Sequence, residues 1–151
     1  MVATVTKGLE MKPIQPRHIQ RVVESLIALE PHVNQFSELL YSRLNELDIS
    51  TANLFRKYPH QERGIKLLNM MRKAADMVEH RKNFEMLLAN LGSQHNDIGV
   101  KSRHHKAFLE ALMWSLSICL GKQFDAETRA AWESFYEDIQ QLMNLHMSQV
   151  G

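Results

Sequence analysis

The chain reads as a single all-α domain. Three observations point that way. Apolar residues recur at three- and four-residue steps in successive segments. The long 60–79 stretch shows no strand-like alternation. Pro31, Pro59 and Gly121 fall where segments end. Together they predict six to eight helices around one core.

Taken in order, residues 1–16 carry Gly8, Pro13 and Pro16 with few apolar residues and read as a tail lying over the surface. From Arg17 to Leu29, Ile19, Val22, Val23, Leu26 and Leu29 mark one face of a first helix. Pro31 breaks the pattern and suits the start of a new helix. Val33, Phe36, Leu40, Leu44 and Leu47 then form a second stripe, with Tyr41 at its edge. Asp48-Ile-Ser-Thr is a turn or cap, followed by a short helical piece from Thr51 to Phe55. Pro59 marks the next boundary. A third long helix, from His60 to Glu79, carries Leu67, Met70, Met71, Ala74, Met77 and Val78.

Residues His80 to Asn83 read as a polar link and Phe84 to Gln94 as the helix before His95. Gly99 permits a sharp turn. A helix from about Ser102 to Leu120 follows, with Gly121 placed to end it. Asp125 is placed to cap a last helix that turns Trp132, Phe135, Tyr136, Ile139, Leu142 and Met143 inward and frays near His146. The expected division is a tail over 1–16, a domain over 17–147 and a short tail over 148–151.

The 151 residues suffice for one domain with a substantial core. Apolar residues make up 44% and charged residues 23%, ordinary values for a globular protein. A net charge of +1 gives no electrostatic case for nucleic acid or an anionic membrane. The single cysteine, Cys119, fits a reducing compartment and reads as inert core. No apolar run reaches the roughly 20 residues of a membrane span. The first residues lack the apolar core of a signal peptide, so a cytoplasmic location is expected. There is no glycine-rich phosphate loop, C-x-x-C, H-E-x-x-H or G-x-S-x-G. The nine methionines suit adaptable core packing first and the lining of a large flat ligand second.

The stretch L-L-A-N-L-G-S-Q-H-N-D-I-G-V, Leu87 to Val100, is the chain's chemical centre of interest. An apolar helix runs into a loop, and His95 stands at the join with Ile98 and Val100 just beyond it. By residue type alone, such a histidine caps a helix, packs at its edge or ligates a metal.

Three blocks together resemble the globins, closest to bacterial single-domain (flavohaemoglobin-like) and neuroglobin-like haem globins. The first is L-L-Y-S-R-L-N-E-L-D with a later L-F, residues 39 to 55, which places Tyr41 at the distal tyrosine position and Phe55 at the phenylalanine that packs on haem. The second is R-G-I-K-L-L-N-M-M, residues 63 to 71, like the start of the distal helix. The third joins L-A-N-L-G-S-Q-H-N-D-I-G-V to I-C-L-G-K-Q-F and T-R-A-A-W-E-S-F-Y. The resemblance spans roughly Ile19 to Met143 and implies a globin fold, a three-over-three helical sandwich around haem b.

It implies that His95 ligates the iron, its other ring nitrogen held by a carbonyl such as that of Leu91. The distal residue of the nearest members lies 32 positions before that histidine, which here is Arg63, with Leu67 one turn on. A frame with the shorter spacing of animal myoglobins puts Lys66 and Met70 there instead. Tyr41 and Arg63 would donate hydrogen bonds to a ligand, and Arg63 could favour anions or pair with a haem propionate. Phe55, Leu67, Ile98, Val100 and Phe108 would grip the porphyrin. His60, Lys66 or Met70 could supply a sixth iron ligand. His18, His32, His80, His104 and His146 read as surface residues.

Two departures stand out. Relatives usually carry glutamine or histidine where Arg63 stands. The tyrosine and glutamate that tune the proximal ligand of flavohaemoglobins are replaced by His105 and Gln149. The implied function is reversible binding of oxygen, nitric oxide or carbon monoxide. Nitric oxide dioxygenase or nitrite reductase turnover would draw electrons from a separate reductase. The alternative is a six-coordinate haem redox or gas-sensor protein.

Overall fold

The computed structural model describes residues 14–56, 60–97 and 102–150, all helix, turn or short connection. Ile98 and Val100 lie outside these residues, as does the side-chain placement of His60, His95 and His146.

Helix α1 spans Pro16–Leu29, with Pro16 in its first turn where its missing N–H costs nothing. Val22, Leu26 and Leu29 are buried, as the spacing predicts. Ile14, assigned from sequence to the surface tail, is also buried in the core. A single 3-10 turn, Glu30–His32, contains Pro31 and leads into α2, Val33–Leu47.

The short helix α3, Ile49–Asn53, begins two residues before the expected Thr51 because Asp48 caps it. One Asp48 carboxylate oxygen accepts from the Ser50 N–H at 3.0 Å and from the Ser50 hydroxyl at 2.6 Å. The other accepts from the Thr51 hydroxyl at 3.0 Å. These donors hold the Asp48 carboxyl at about 2, well below its ordinary value.

Helix α4 spans His60–Met77, and α5 spans Arg81–Asp97. Both ends of α5 differ from the sequence reading. Arg81 and its neighbours are helical rather than a polar link, and the helix continues past Gln94, so the His95 backbone lies in the last turn rather than at a helix–loop join. The early start has a visible cause. Arg81 donates two hydrogen bonds to the buried Asp138 carboxylate, at 3.0 and 3.1 Å, and so anchors the first turn.

Helix α6 spans Ser102–Leu120. Gly121 follows with φ 56°, a left-handed conformation that suits glycine and ends the helix as expected. Helix α7 spans Ala126–Val150, longer than the pattern suggested. Its start is capped by Asp125, which accepts from the Thr128 N–H at 2.8 Å.

Helix α5 packs against α7, α2 against α6 and α4, and α1 against α7. Trp132, Phe36, Phe84, Phe135, Leu112 and Leu116 fill the space between them. The α2–α4 crossing is tight. A Cβ added to Gly64 would stand 2.5 Å from the Ser37 Cβ, so the small residue at 64 lets the two backbones approach. That contact sits one residue from Arg63 and one turn from Tyr41. Among the described residues, no helix is long and apolar enough to cross a membrane.

Candidate functional site

Between the helices lies an apolar cavity of about 120 Å³. Thr51, Leu54 and Phe55 line it from α3 and the turn after it, and Leu67, Met70 and Met71 from α4. Leu91 contributes from α5, and His104, His105 and Phe108 from α6. Tyr136, Ile139 and Met143 close it from α7. The lining is overwhelmingly apolar, with two imidazoles, one threonine and one phenol set into it.

Aromatic rings run in series from behind the cavity into its wall. Tyr41 lies 5.2 Å from Phe55, Phe55 lies 5.9 Å from Phe108, and Phe108 stacks on Tyr136 at 6.1 Å with an interplanar angle of 19°. Three helices and the turn after α3 supply this series, so the wall depends on the whole fold. Ring faces and thioethers are well matched to a large flat apolar ligand.

Tyr41, Phe55, Arg63, Leu67 and Phe108, predicted from sequence, are brought together here. Phe55, Leu67 and Phe108 line the cavity itself. Tyr41 packs against Phe55 behind the wall, and the Arg63 guanidinium lies 5.4 Å from the Tyr41 ring centroid. Tyr41 is 6% exposed. Burial pushes its phenol up to about 12, with the Arg63 charge partly opposing that rise. The hydroxyl therefore keeps its proton, and its capacity to donate, across the physiological range.

Lys66, the residue of the alternative frame, is an exposed side chain 3.9 Å from the Glu62 carboxylate. Met70, its companion, does line the cavity. His95 falls one helical turn beyond Leu91, a cavity residue on the same helix.

One sequence expectation is overturned. His104 is not a surface residue: it is 5% exposed and lines the cavity. Its neighbours Arg103, His105 and Lys106 make the segment look solvent-facing, yet His104 stands four residues before Phe108 and shares its face. His105 is equally buried, and its Nδ1 lies 3.2 Å from the Tyr136 hydroxyl, which also approaches the His105 carbonyl at 3.3 Å. Burial pushes the Tyr136 phenol upward too. Cys119, expected in the core, is half-buried, and burial raises its thiol.

A second pocket borders Tyr41. Glu38, Tyr41, Ser42 and Asn45 of α2 line it, with Ala52, Arg56 and Arg63.

Comparison with known sequences bears on this arrangement. A family model described as Globin matches residues 45–143. A neuroglobin of Tetraodon nigroviridis is 28% identical over 114 residues, covering 67% of this chain and 72% of that protein. Neuroglobin-1 of Oncorhynchus mykiss is 25% identical over 111 residues, 65% and 70% of the two chains. A neuroglobin of Chaenocephalus aceratus is 25% identical over 114 residues, 67% and 72%.

Proposed function

Because the chain belongs to the globin family, we propose that it holds haem b through His95 and reversibly binds a diatomic gas beside Tyr41 and Arg63. The observation that carries this reading is the cavity: an apolar slot between α4, α5 and α6, walled by Phe55 and Phe108. Its residues fit a porphyrin because they offer ring faces, thioethers and aliphatic groups with few competing polar atoms.

Haem, when bound, would supply an iron able to take up a diatomic gas. The chain supplies the rest. His95 gives an imidazole from the last turn of α5. Phe55, Leu67 and Phe108 would exclude water and hold the cofactor, a grip that Ile98 and Val100 would share. Tyr41, neutral and buried against Phe55, keeps the proton that it would donate toward the ligand. Arg63 adds a fixed positive charge on the same side. Its closeness to Tyr41, and the exposure of Lys66, favour Arg63 as the distal residue. The protein would act first as a gas binder. Nitric oxide dioxygenation or nitrite reduction would need electrons from a separate reductase.

Spectroscopy tests the reading. Full-length protein supplied with haem should show a Soret band that shifts when the reduced form meets carbon monoxide. Protein that takes up no haem, or whose spectrum ignores carbon monoxide, would overturn it.

A further inference from the structure

We propose that Arg81 and Asp138 are positioning residues: their ion pair pins the register of α5 against α7 and so sets where position 95 stands beside the cavity. This rests on the reading of His95 as the iron ligand. Arg81, in the first turn of α5, donates through both terminal nitrogens to the two Asp138 oxygens, at 3.0 and 3.1 Å. Asp138 is buried. Arg81 is held on two further sides, by the Phe84 ring, whose centre lies 5.4 Å from the guanidinium carbon, and by the Glu85 carboxylate at 3.7 Å.

The pair does what apolar packing does not. Hydrophobic burial is non-directional, whereas two parallel hydrogen bonds fix distance and orientation together. Position 95 lies fourteen residues, about 21 Å, farther along the same helix. That is about 40° short of four full turns, so the register places positions 81 and 95 on one side of α5. On α7, Tyr136 and Ile139 flank Asp138 in sequence and line the cavity. The pair therefore links the helix that carries position 95 to the part of α7 that walls the cavity.

A pin can be told from a merely stabilising pair. Apolar side chains of similar size in place of a buried ion pair often leave stability unchanged or raise it, yet they remove the directional link. The test uses the double variant Arg81→Met with Asp138→Leu, Asp138→Asn as a milder second variant, and Arg129→Gln, in an exposed pair on α7, as control. Full-length protein loaded with haem is followed by denaturant unfolding, amide hydrogen exchange and haem transfer to an acceptor protein. In the double variant, exchange along α5, its last turn included, accelerates roughly tenfold while the other helices keep wild-type exchange. Haem loss accelerates several-fold with it. Asp138→Asn shows the same pattern in smaller measure, and Arg129→Gln changes nothing. Imidazole supplied to His95→Gly frees the ligand from the helix, so the double substitution made in that background leaves haem loss unchanged. Wild-type exchange in the last turn of α5, or acceleration spread evenly over all helices, overturns the proposal. Equal acceleration of haem loss in the imidazole-supplied His95→Gly background overturns it too. Haem held as tightly by His95→Gly without imidazole as by wild type overturns the His95 reading, and exchange along α5 then still decides the pin.

Discussion

The Arg63 guanidinium rests 5.4 Å from the centre of the buried Tyr41 ring, at the crossing where Gly64 meets Ser37. One close helix contact therefore helps to position both the phenol and the guanidinium. Losing the Tyr41 hydroxyl should cost about 1 kcal/mol of ligand stabilisation, the worth of one hydrogen bond. Oxygen dissociation from Tyr41→Phe is expected to be several-fold to about tenfold faster, with Arg63→Ala changed in the same direction. Stopped-flow displacement by carbon monoxide checks both, and unchanged rates in the pair would remove the distal donor.

Gly64 should tolerate no side chain that pushes the helices apart. Gly64→Val is expected to lose about 1–3 kcal/mol of stability through overpacking. It should also accelerate oxygen dissociation, because Arg63 moves with α4. Denaturant unfolding and off-rates measured on the same preparation test the coupling; a stable variant with wild-type off-rates would contradict it.

Arg81 and Asp138 are unequal partners. Asp138 is 4% exposed, whereas a third of the Arg81 side chain reaches solvent. Removing the arginine strands a buried carboxylate; removing the carboxylate lets the arginine turn to water. Arg81→Met should therefore cost about 3 kcal/mol or more, and Asp138→Asn clearly less. Chemical denaturation of the two variants gives the order, and the reverse order would refute this account of the pair.

Alkaline stability follows from the phenols. The Tyr41 phenol rises from 10.0 unfolded to about 12 folded, so the folded state holds that proton more tightly. The stability it contributes is fully present below pH 10 and is lost as pH climbs through 12. Tyr136 shifts in the same direction. Wild type should lose stability over that window, and Tyr41→Phe should lose less of it. Within pH 6 to 9 the Tyr41 donor does not titrate, so its effect on oxygen dissociation should be flat.

Local signals made much of the fold readable. Gly121 and Asp125 announce a helix end and the next beginning through backbone conformation and a single hydrogen bond, both encoded within a few residues. Helical spacing likewise identified the buried faces of α1 and α2. What escaped depends on distant partners. Asp138 stands 57 positions from Arg81, and only that pairing explains why α5 starts at Arg81. His104 was hidden because polar neighbours mask a residue that the α6 face carries inward. The Tyr41–Arg63 pair followed from family spacing rather than from any local pattern.

Resonance Raman spectroscopy of the reduced, ligand-free protein tests the proposed bond between His95 and iron most directly. If wild type shows the iron–imidazole stretch, His95→Gly should lose it, and added imidazole should restore it. If wild type is instead six-coordinate, His95→Gly should change its low-spin signature. A proximal imidazole signal that survives in His95→Gly without added imidazole would contradict the assignment.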